Sequence, residues 1–283
     1  MTDKESITEK LKEVELDILK AFIEVCEKLN LKYYALGGTM LGAVRHHGFI
    51  PWDDDIDVGM LRKDYEIFME KGQELLPEHL FLQNRKTDSE CPVPYAKIRD
   101  SRTAFIETVY KYKKMNHGIF IDIFPLDYYP DNDSEGKRLF GKKKRIAYRM
   151  YREYNIPGET KSPPVKEFVK NFVSTALIAV YPSGYKAEDK FDEKLKSLKK
   201  SRRVTNYYGV WSKKEIVPCE WYGDGCNGVF EGIIIKLPSQ YDKLLTQIFG
   251  DYMEYPPVEE RITHHYTEVI DPCNSYLKYA VLP

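Results

Sequence analysis

"GGTMLGAVRHHGFIPWDDDID" spans residues 37–57, and its last six positions set four carboxylates directly behind Trp52. In extended chain successive side chains point to opposite faces, so Asp53, Asp55 and Asp57 share one face and Asp54 and Ile56 the other. Two unit charges about 7 Å apart cost on the order of 2 kcal/mol at an effective dielectric near 20. Water relieves that repulsion if the segment is a solvated acidic turn. A Mg²⁺ or Mn²⁺ ion with oxygen ligands relieves it if the segment is a metal site. The hexapeptide by itself leaves both readings open.

The flanking residues favour the second. "KYYALGG" (32–38) reads as a short strand ending in two glycines, and Thr39 is placed to cap a short helix, "MLGAVRH", which Gly48 and Pro51 close. Gly37 and Gly38 let backbone approach a ligand closely, and a helix N-terminus offers free N–H groups and a positive dipole end to phosphate. A phosphate cradle followed by carboxylates on the next strand supplies both halves of a metal-assisted phosphoryl-transfer site.

Downstream, "GIFIDIFPLD" (118–127) is the strongest strand in the chain and carries Asp122 between Ile121 and Ile123. An unpaired carboxylate there is costly to bury, so Asp122 is expected to have a partner, either as a structural acceptor or as a third metal ligand. Asp127, past Pro125, is expected in a loop. Lys97 and Arg99 share strand parity in "PYAKIRD", and with Arg45 they are the expected positive contacts to phosphate. An ordinary exposed strand is the competing reading for Lys97 and Arg99.

Leu11, Val14, Ile18, Phe22, Val25 and Leu29 recur at helical spacing and predict an amphipathic helix over ~5–30. Further helices are predicted over ~62–76, ~134–154, ~163–180 and ~186–202. "GVFEGIIIKLP" (228–238) reads as one strand, and Ser239 as the cap of "QYDKLLTQIF", stopped by Gly250. The tail "EYPPVEERITHHY" reads as loop. The fold class is therefore α/β (α+β), a mixed sheet with additional helices. One domain over 1–283 is expected: a core over 1–130, then a helical region with a strand and a C-terminal loop over 131–283.

The 283 residues are 42% hydrophobic and 31% charged with 22 Tyr, a composition that folds. A net charge of −1 gives no bulk attraction for polyanions, so no nucleic-acid partner is expected. "KRLFGKKKRIAYRMYR" (137–152) concentrates eight basic residues without an acidic one. It is either a solvated helix face or a patch for anionic lipid or a pyrophosphate-linked acceptor. Five Cys without a CxxC pair fit a reducing compartment, and "MTDKESITEKLKEVE", polar and acidic, is not expected to act as a signal peptide. The apolar run at 172–182 is about half the ~20 residues a spanning helix needs. A cytoplasmic protein is expected, with peripheral contact at the inner face of the membrane. The aromatics of "YYGVW" (207–211) and "CEWYG" (219–223), Trp211 and Trp221 among them, together with Trp52, could cage a quaternary ammonium, although aromatic residues more often fill cores.

"GGTMLGAVRHHGFIPWDDDIDVGM", "YAKIRDSRTAFIE", "GIFIDIFPLD", "FEGIIIKLPSQYDKLL", "FGDYMEYPP" and the His near 265 resemble, in order, the motifs of the LicD family of phosphotransferases, relatives of fukutin with a nucleotidyltransferase core. The resemblance covers residues ~33–265. It implies transfer of phosphocholine from CDP-choline to a sugar of a cell-surface glycan, as in lipopolysaccharide or teichoic acid modification, or of its lipid-linked precursor. Some relatives move a polyol phosphate from a CDP-polyol instead. By residue match, Asp55 and Asp57 would be paired ligands of Mg²⁺ or Mn²⁺ and Asp122 the third carboxylate and a candidate general base. Gly37, Gly38 and Thr39 would receive the diphosphate, and His265 would belong to the site. The sequence departs from the pattern at His47, where a small residue such as Gly is frequent. Two rivals are a glycosyltransferase with an Asp-x-Asp pair and a binding protein that retains the fold.

Overall fold

A computed structural model describes residues 3–154, 172–173, 175–181, 183–263 and 265–279. The N-terminal helix α1, Asp3–Lys28, buries Leu11, Ile18, Leu19, Phe22 and Val25. Its stripe therefore faces the core as the three- and four-residue spacing requires, with Val14 left at the margin. A two-residue strand β1, Tyr34–Ala35, leads into helix α2, Gly37–Arg45. After the acidic loop come β2, Asp57–Leu61, helix α3, Arg62–Leu75, and strands β3, Leu80–Gln83, β4, Ala96–Asp100, and β5, Ala104–Glu107. Strand β6, Ile119–Tyr129, is the central element, and helix α4, Asp133–Tyr154, follows it.

The seven-stranded sheet runs β1-β2-β6-β4-β3. Strand β6 also pairs with β7, Arg203–Thr205, which in turn pairs with β8, Val217–Pro218. Only the β2–β6 pair is parallel; the other pairings in this sheet are antiparallel. The architecture is mixed α/β, as the sequence indicates. Strand β6 has neighbours on both sides and near-complete burial, which is why its sequence reads as an almost continuous apolar run.

Two expectations about the second half change. "GVFEGIIIKLP" is a hairpin, with β9, Cys226–Phe230, and β10, Ile233–Leu237, joined at Glu231 and Gly232. Both turn residues have positive φ, +48° and +77°, the backbone a tight two-residue connection demands. Ser239 does not cap the helix Tyr241–Phe249; its hydroxyl accepts from Gly225 N–H at 3.0 Å and ties the helix entry to the hairpin. Gly250 does end that helix, at φ +77°. After that tail comes β11, Thr267–Asp271, antiparallel to β5. The helix predicted over ~186–202 is Gly184–Lys196, started by the Ser183 side chain. The helix predicted over ~163–180 lies largely outside the described residues.

Candidate active site

Strand register assembles the site. Asp57 on β2 stands opposite Asp122 on β6, and Asp122 stands opposite Lys97 on β4. Three polar side chains thus form one row across adjacent strands, on the parity shared with Gly59, Phe124 and Tyr95. Lys97 Nζ lies 2.6 Å from Asp122 Oδ1 and 3.4 Å from the Phe120 ring centroid. This ion pair lacks hydrogen-bond alignment: Asp122 Oδ1 is a buried oxygen with no hydrogen-bond partner. Asp122 therefore has the partner its place in an apolar strand requires, and an acceptor lone pair to spare. Asp127, one step out of that parity, is held by Arg62 through two 2.7 Å hydrogen bonds and takes no part.

The ladder begins only at Asp57, so residues 53–56 are loop rather than strand, yet the alternation survives. Ile56 is fully buried and Asp54 turns away from its neighbours to accept from His265 Nδ1 at 3.0 Å. Asp53, Asp55 and Asp57 stay together. Burial, then the charges of Asp55 and Asp54, push Asp53 up to about 7. Burial raises Asp55, with Asp122 and Asp54 adding to it against His265 and Lys97. Burial followed by Asp55, Asp122 and Asp53 holds Asp57 well above the ordinary carboxylate range. The repulsion expected from the sequence is present, and Lys97 and His265 offset it only in part. For Asp54, burial raises and the hydrogen bonds from His265 and Thr263 outweigh it, leaving the carboxyl below its usual value. His265 is pushed up to about 9: burial opposes its charge, but the Asp54 bond and the charges of Asp55 and Asp54 prevail.

Helix α2 begins earlier than the sequence suggests. Gly37 and Gly38 are its first residues, Leu36 is the cap without a side-chain bond, and Thr39 lies inside the first turn. Thr39 Oγ1 instead accepts from Asp57 N–H at 2.8 Å, pinning the start of β2 to the helix. A Cβ on Gly37 would stand 3.5 Å from Asp57 Oδ2, and one on Gly38 would stand 2.3 Å from Asp53 Oδ2. The α2 N-terminus thus faces the carboxylates directly, and a Cβ at Gly38 would displace the Asp53 carboxylate.

Other expected contacts go elsewhere. Arg99 is buried and donates to Gln83 Oε1 and Gly118 O, because β4 is an interior strand with both faces covered. It is a structural arginine, not a phosphate contact. Arg45 sits at the opposite end of α2, about 12 Å of helix from Gly37 at 1.5 Å per residue. Its Nη1 donates to the carbonyls of Tyr252 and Glu254, at 2.8 and 3.1 Å. Trp211 packs on Phe249 and Trp221 against the core, and neither meets the carboxylates, while Tyr207 and Tyr222 are core residues. No cage forms there. Trp52 does stand beside the acidic loop, but Arg261 lies over its ring at 5.4 Å. His47 has φ +58°, in the left-handed region that favours glycine over a residue with a Cβ.

Glu15 is the residue the sequence reading missed. It occupies a stripe position of α1, is 2% exposed, and has Oε2 without a hydrogen-bond partner. Burial, then Asp55 and Asp54, push its carboxyl well above the ordinary range, so it lies against the acidic loop from the helix side. A Glu four residues after Leu11 and three before Ile18 was the available signal.

Oxygen donors, a buried Asp122 oxygen that is ion-paired with Lys97 but makes no hydrogen bond, and mutually repelling carboxylates fit a hard divalent cation. Among the described residues no three His, Cys, Asp or Glu side chains converge on one point as they stand. Mg²⁺ tolerates an incomplete protein ligand set, because water and substrate phosphate oxygens complete its shell. Two clefts, of about 680 Å³ beside Arg85 and Asp189 and about 1090 Å³ beside Tyr112 and Tyr276, include none of these carboxylates.

Comparison with known proteins bears on this site. The family described as "LicD/FKTN/FKRP, nucleotidyltransferase domain" matches residues 30–161, which contain Asp53 through Asp57, Lys97 and Asp122. The chain is similar to the lipopolysaccharide cholinephosphotransferase LicD of Haemophilus influenzae, 32% identical over 257 residues that make up 89% of this chain and 94% of that protein. It is also similar to the human ribitol 5-phosphate transferase FKRP, 43% identical over 42 residues, 15% of this chain and 8% of that protein.

Proposed function

The chain belongs to the LicD family of phosphotransferases, and from that premise we propose that it transfers phosphocholine from CDP-choline to a sugar hydroxyl of a cell-surface glycan or its lipid-linked precursor, releasing CMP. The observation that carries this reading is the row Asp57–Asp122–Lys97, set in register across β2, β6 and β4 beneath the α2 N-terminus. The similarity to a cholinephosphotransferase along nearly its whole length supports the choice of phosphocholine.

Asp55, Asp57 and Asp122 would hold Mg²⁺ or Mn²⁺, which when bound would neutralise charge on the donor diphosphate. The chain's own groups do the rest. Backbone N–H groups of Gly37 and Gly38 would receive a phosphate at the helix end. Lys97 fixes Asp122 and adds positive charge where the phosphoryl group is transferred. Asp122 would accept the acceptor's hydroxyl proton as the new O–P bond forms and the bond to CMP breaks. The His265–Asp54 bond ties the acidic loop to the segment before β11, so the loop is positioned from both ends of the chain.

A polyol phosphate from a CDP-polyol is the second reading, favoured by the short match to FKRP. No described helix is long and apolar enough to cross a membrane. The exposed Lys137, Arg138, Lys144 and Arg145 on α4 support a cytoplasmic protein with peripheral contact to an anionic membrane. Flotation with phosphatidylserine liposomes tests that contact, and no co-flotation removes it.

The test of function is CMP release and thermal stabilisation with CDP-choline, CDP-glycerol, CDP-ribitol and UDP-glucose, with and without Mg²⁺ or Mn²⁺, on wild type and Asp55→Asn. Metal-dependent stabilisation by CDP-choline, lost in the variant, is expected, with CMP released once a glycan acceptor is added. A response to CDP-ribitol alone moves the reading to polyol phosphate. A response to UDP-glucose but to no CDP compound overturns it in favour of a glycosyltransferase.

A further inference from the structure

Two arginines lie over one tyrosine ring beside the acidic loop. Arg45, at the end of α2, lies over the Tyr255 ring at 4.8 Å; Arg261 lies over the same ring at 5.3 Å and over Trp52 at 5.4 Å. His46 stands edge-on to Trp52 and Tyr255, at 6.3 and 5.6 Å, and its Nε2 accepts from Arg45 Nε–H at 2.9 Å. Each guanidinium is oriented by backbone carbonyls, Arg45 by Tyr252 and Glu254 and Arg261 by Pro256 at 2.9 Å. Among the described residues neither arginine forms an ion pair. Among the described residues Arg45 Nη2 and both terminal nitrogens of Arg261 make no hydrogen bond. Burial, with the charge of Arg261 adding to it, lowers the Arg45 pKa.

An aromatic pair beside a phosphocholine-transfer site invites the idea of an ammonium cage. The geometry opposes it, since a trimethylammonium on Trp52 or Tyr255 would meet two guanidiniums already stacked there. Like charges held together by carbonyls and ring faces, with donors left over, are instead complementary to an anion. We propose that Arg45 and Arg261, walled by Trp52 and Tyr255, form a binding site for a phosphate ester group, separate from the phosphate position at the α2 N-terminus. The length of α2 separates the two positions, so one ligand phosphate at Gly37 and Gly38 does not occupy both. The group bound here is carried either by the sugar acceptor or by the nucleotide. Its assignment to one of them rests on the proposed transferase reading, whereas the site itself does not.

The experiment uses the full chain with EDTA present and inorganic pyrophosphate as probe, followed by calorimetric titration. Wild type should bind, with affinity falling as ionic strength rises. Arg261→Ala should weaken binding at least tenfold, Arg261→Lys should recover part of it, and Asp57→Asn should bind at least as well as wild type. Equal affinity in wild type and both Arg261 variants overturns the proposal, as does loss of metal-free binding in Asp57→Asn. Trp52→Phe, which keeps a ring under Arg261, gives a second folded variant if Arg261→Ala does not fold. Its binding should stay within about threefold of wild type, and loss of binding with the ring retained overturns the stacked-guanidinium site. Competition by glucose 6-phosphate assigns the site to the acceptor and competition by CMP to the nucleotide. Turnover of CDP-choline is scored separately. Turnover with pyrophosphate affinity unchanged in Arg261→Ala removes the arginine site and leaves the transferase. Arginine-dependent binding without turnover of any CDP donor does the reverse.

Discussion

Lys97 and Asp122 are opposite residues on antiparallel β4 and β6, 2.6 Å apart and both nearly sealed from solvent, in the same row as Asp57. A buried pair of this kind contributes less through attraction than it costs when one member is removed, because the survivor is left as an uncompensated charge. Lys97→Met should therefore destabilise the fold by roughly 3–5 kcal/mol in chemical denaturation. Asp122→Asn should destabilise it by a similar amount, and the double variant by less than the sum. A Lys97→Met protein within about 0.5 kcal/mol of wild type would show that Asp122 is compensated by another group.

Asp57 sits at the crowded centre, where burial and the neighbouring Asp55, Asp122 and Asp53 all oppose its charge. Without a divalent cation, Asp57→Asn should raise the melting temperature, since it removes repulsion while keeping the side chain's shape. Turnover should fall by at least a hundredfold. Saturating Mg²⁺ or Mn²⁺ at 100 times Kd should stabilise wild type by about 2.7 kcal/mol and leave the variant unchanged. A variant less stable than wild type in EDTA would contradict this account of the cluster.

How much of this was legible beforehand depends on sequence distance. The same-face grouping of Asp53, Asp55 and Asp57 follows from local alternation and survives even though the first two precede the strand. The Lys97–Asp122 pair depends on which strands become neighbours, and parity alone gave Lys97 and Arg99 the same role. Their registers separate them: Arg99 falls opposite Phe120 and Phe81 and reaches Gln83, while Lys97 falls opposite Asp122. The His265–Asp54 bond spans 211 residues and has no local signal. Glu15 and the Glu231–Gly232 turn did have one. Each interrupts an apolar pattern with a residue that the surrounding element does not want.

Away from the carboxylate cluster, Glu215 provides a pH dependence that can be isolated. Burial raises it to about 8 from its ordinary 4.5, against Lys143 and the hydrogen bonds from Trp211, Ser212 and Asn206. Between pH 4.5 and 8 the unfolded chain ionises this group while the folded chain keeps its proton, so the folded state binds more protons and stability falls as pH rises. The contribution approaches about 1.4 kcal/mol per pH unit and levels off above the folded value. Glu215→Gln should flatten the stability profile across this window and leave it unchanged below it. An unaltered slope in denaturation from pH 5 to 8 would mean that another group carries the dependence.

Gly38 separates chemistry from folding. A Cβ there would stand 2.3 Å from Asp53 Oδ2, while Gly37 at φ +48° leaves its own Cβ direction clear of Asp57 by 3.5 Å. In Gly38→Ala the helix gains propensity, by up to about 1 kcal/mol, and the short Asp53 side chain must turn away. Rotation of one carboxylate is cheap, so global stability should change by less than about 1 kcal/mol in either direction. What changes is the distance between the helix N-terminus and the acidic loop, on which the proposed phosphate and cation binding would both depend. Turnover should drop by at least tenfold and the Mg²⁺- or Mn²⁺-dependent thermal shift should shrink, with the metal-free melting temperature nearly preserved. Full activity in Gly38→Ala would show that close approach of α2 to Asp53 is a packing feature only. Equal losses in activity and in metal-free stability would show that the glycine serves the fold.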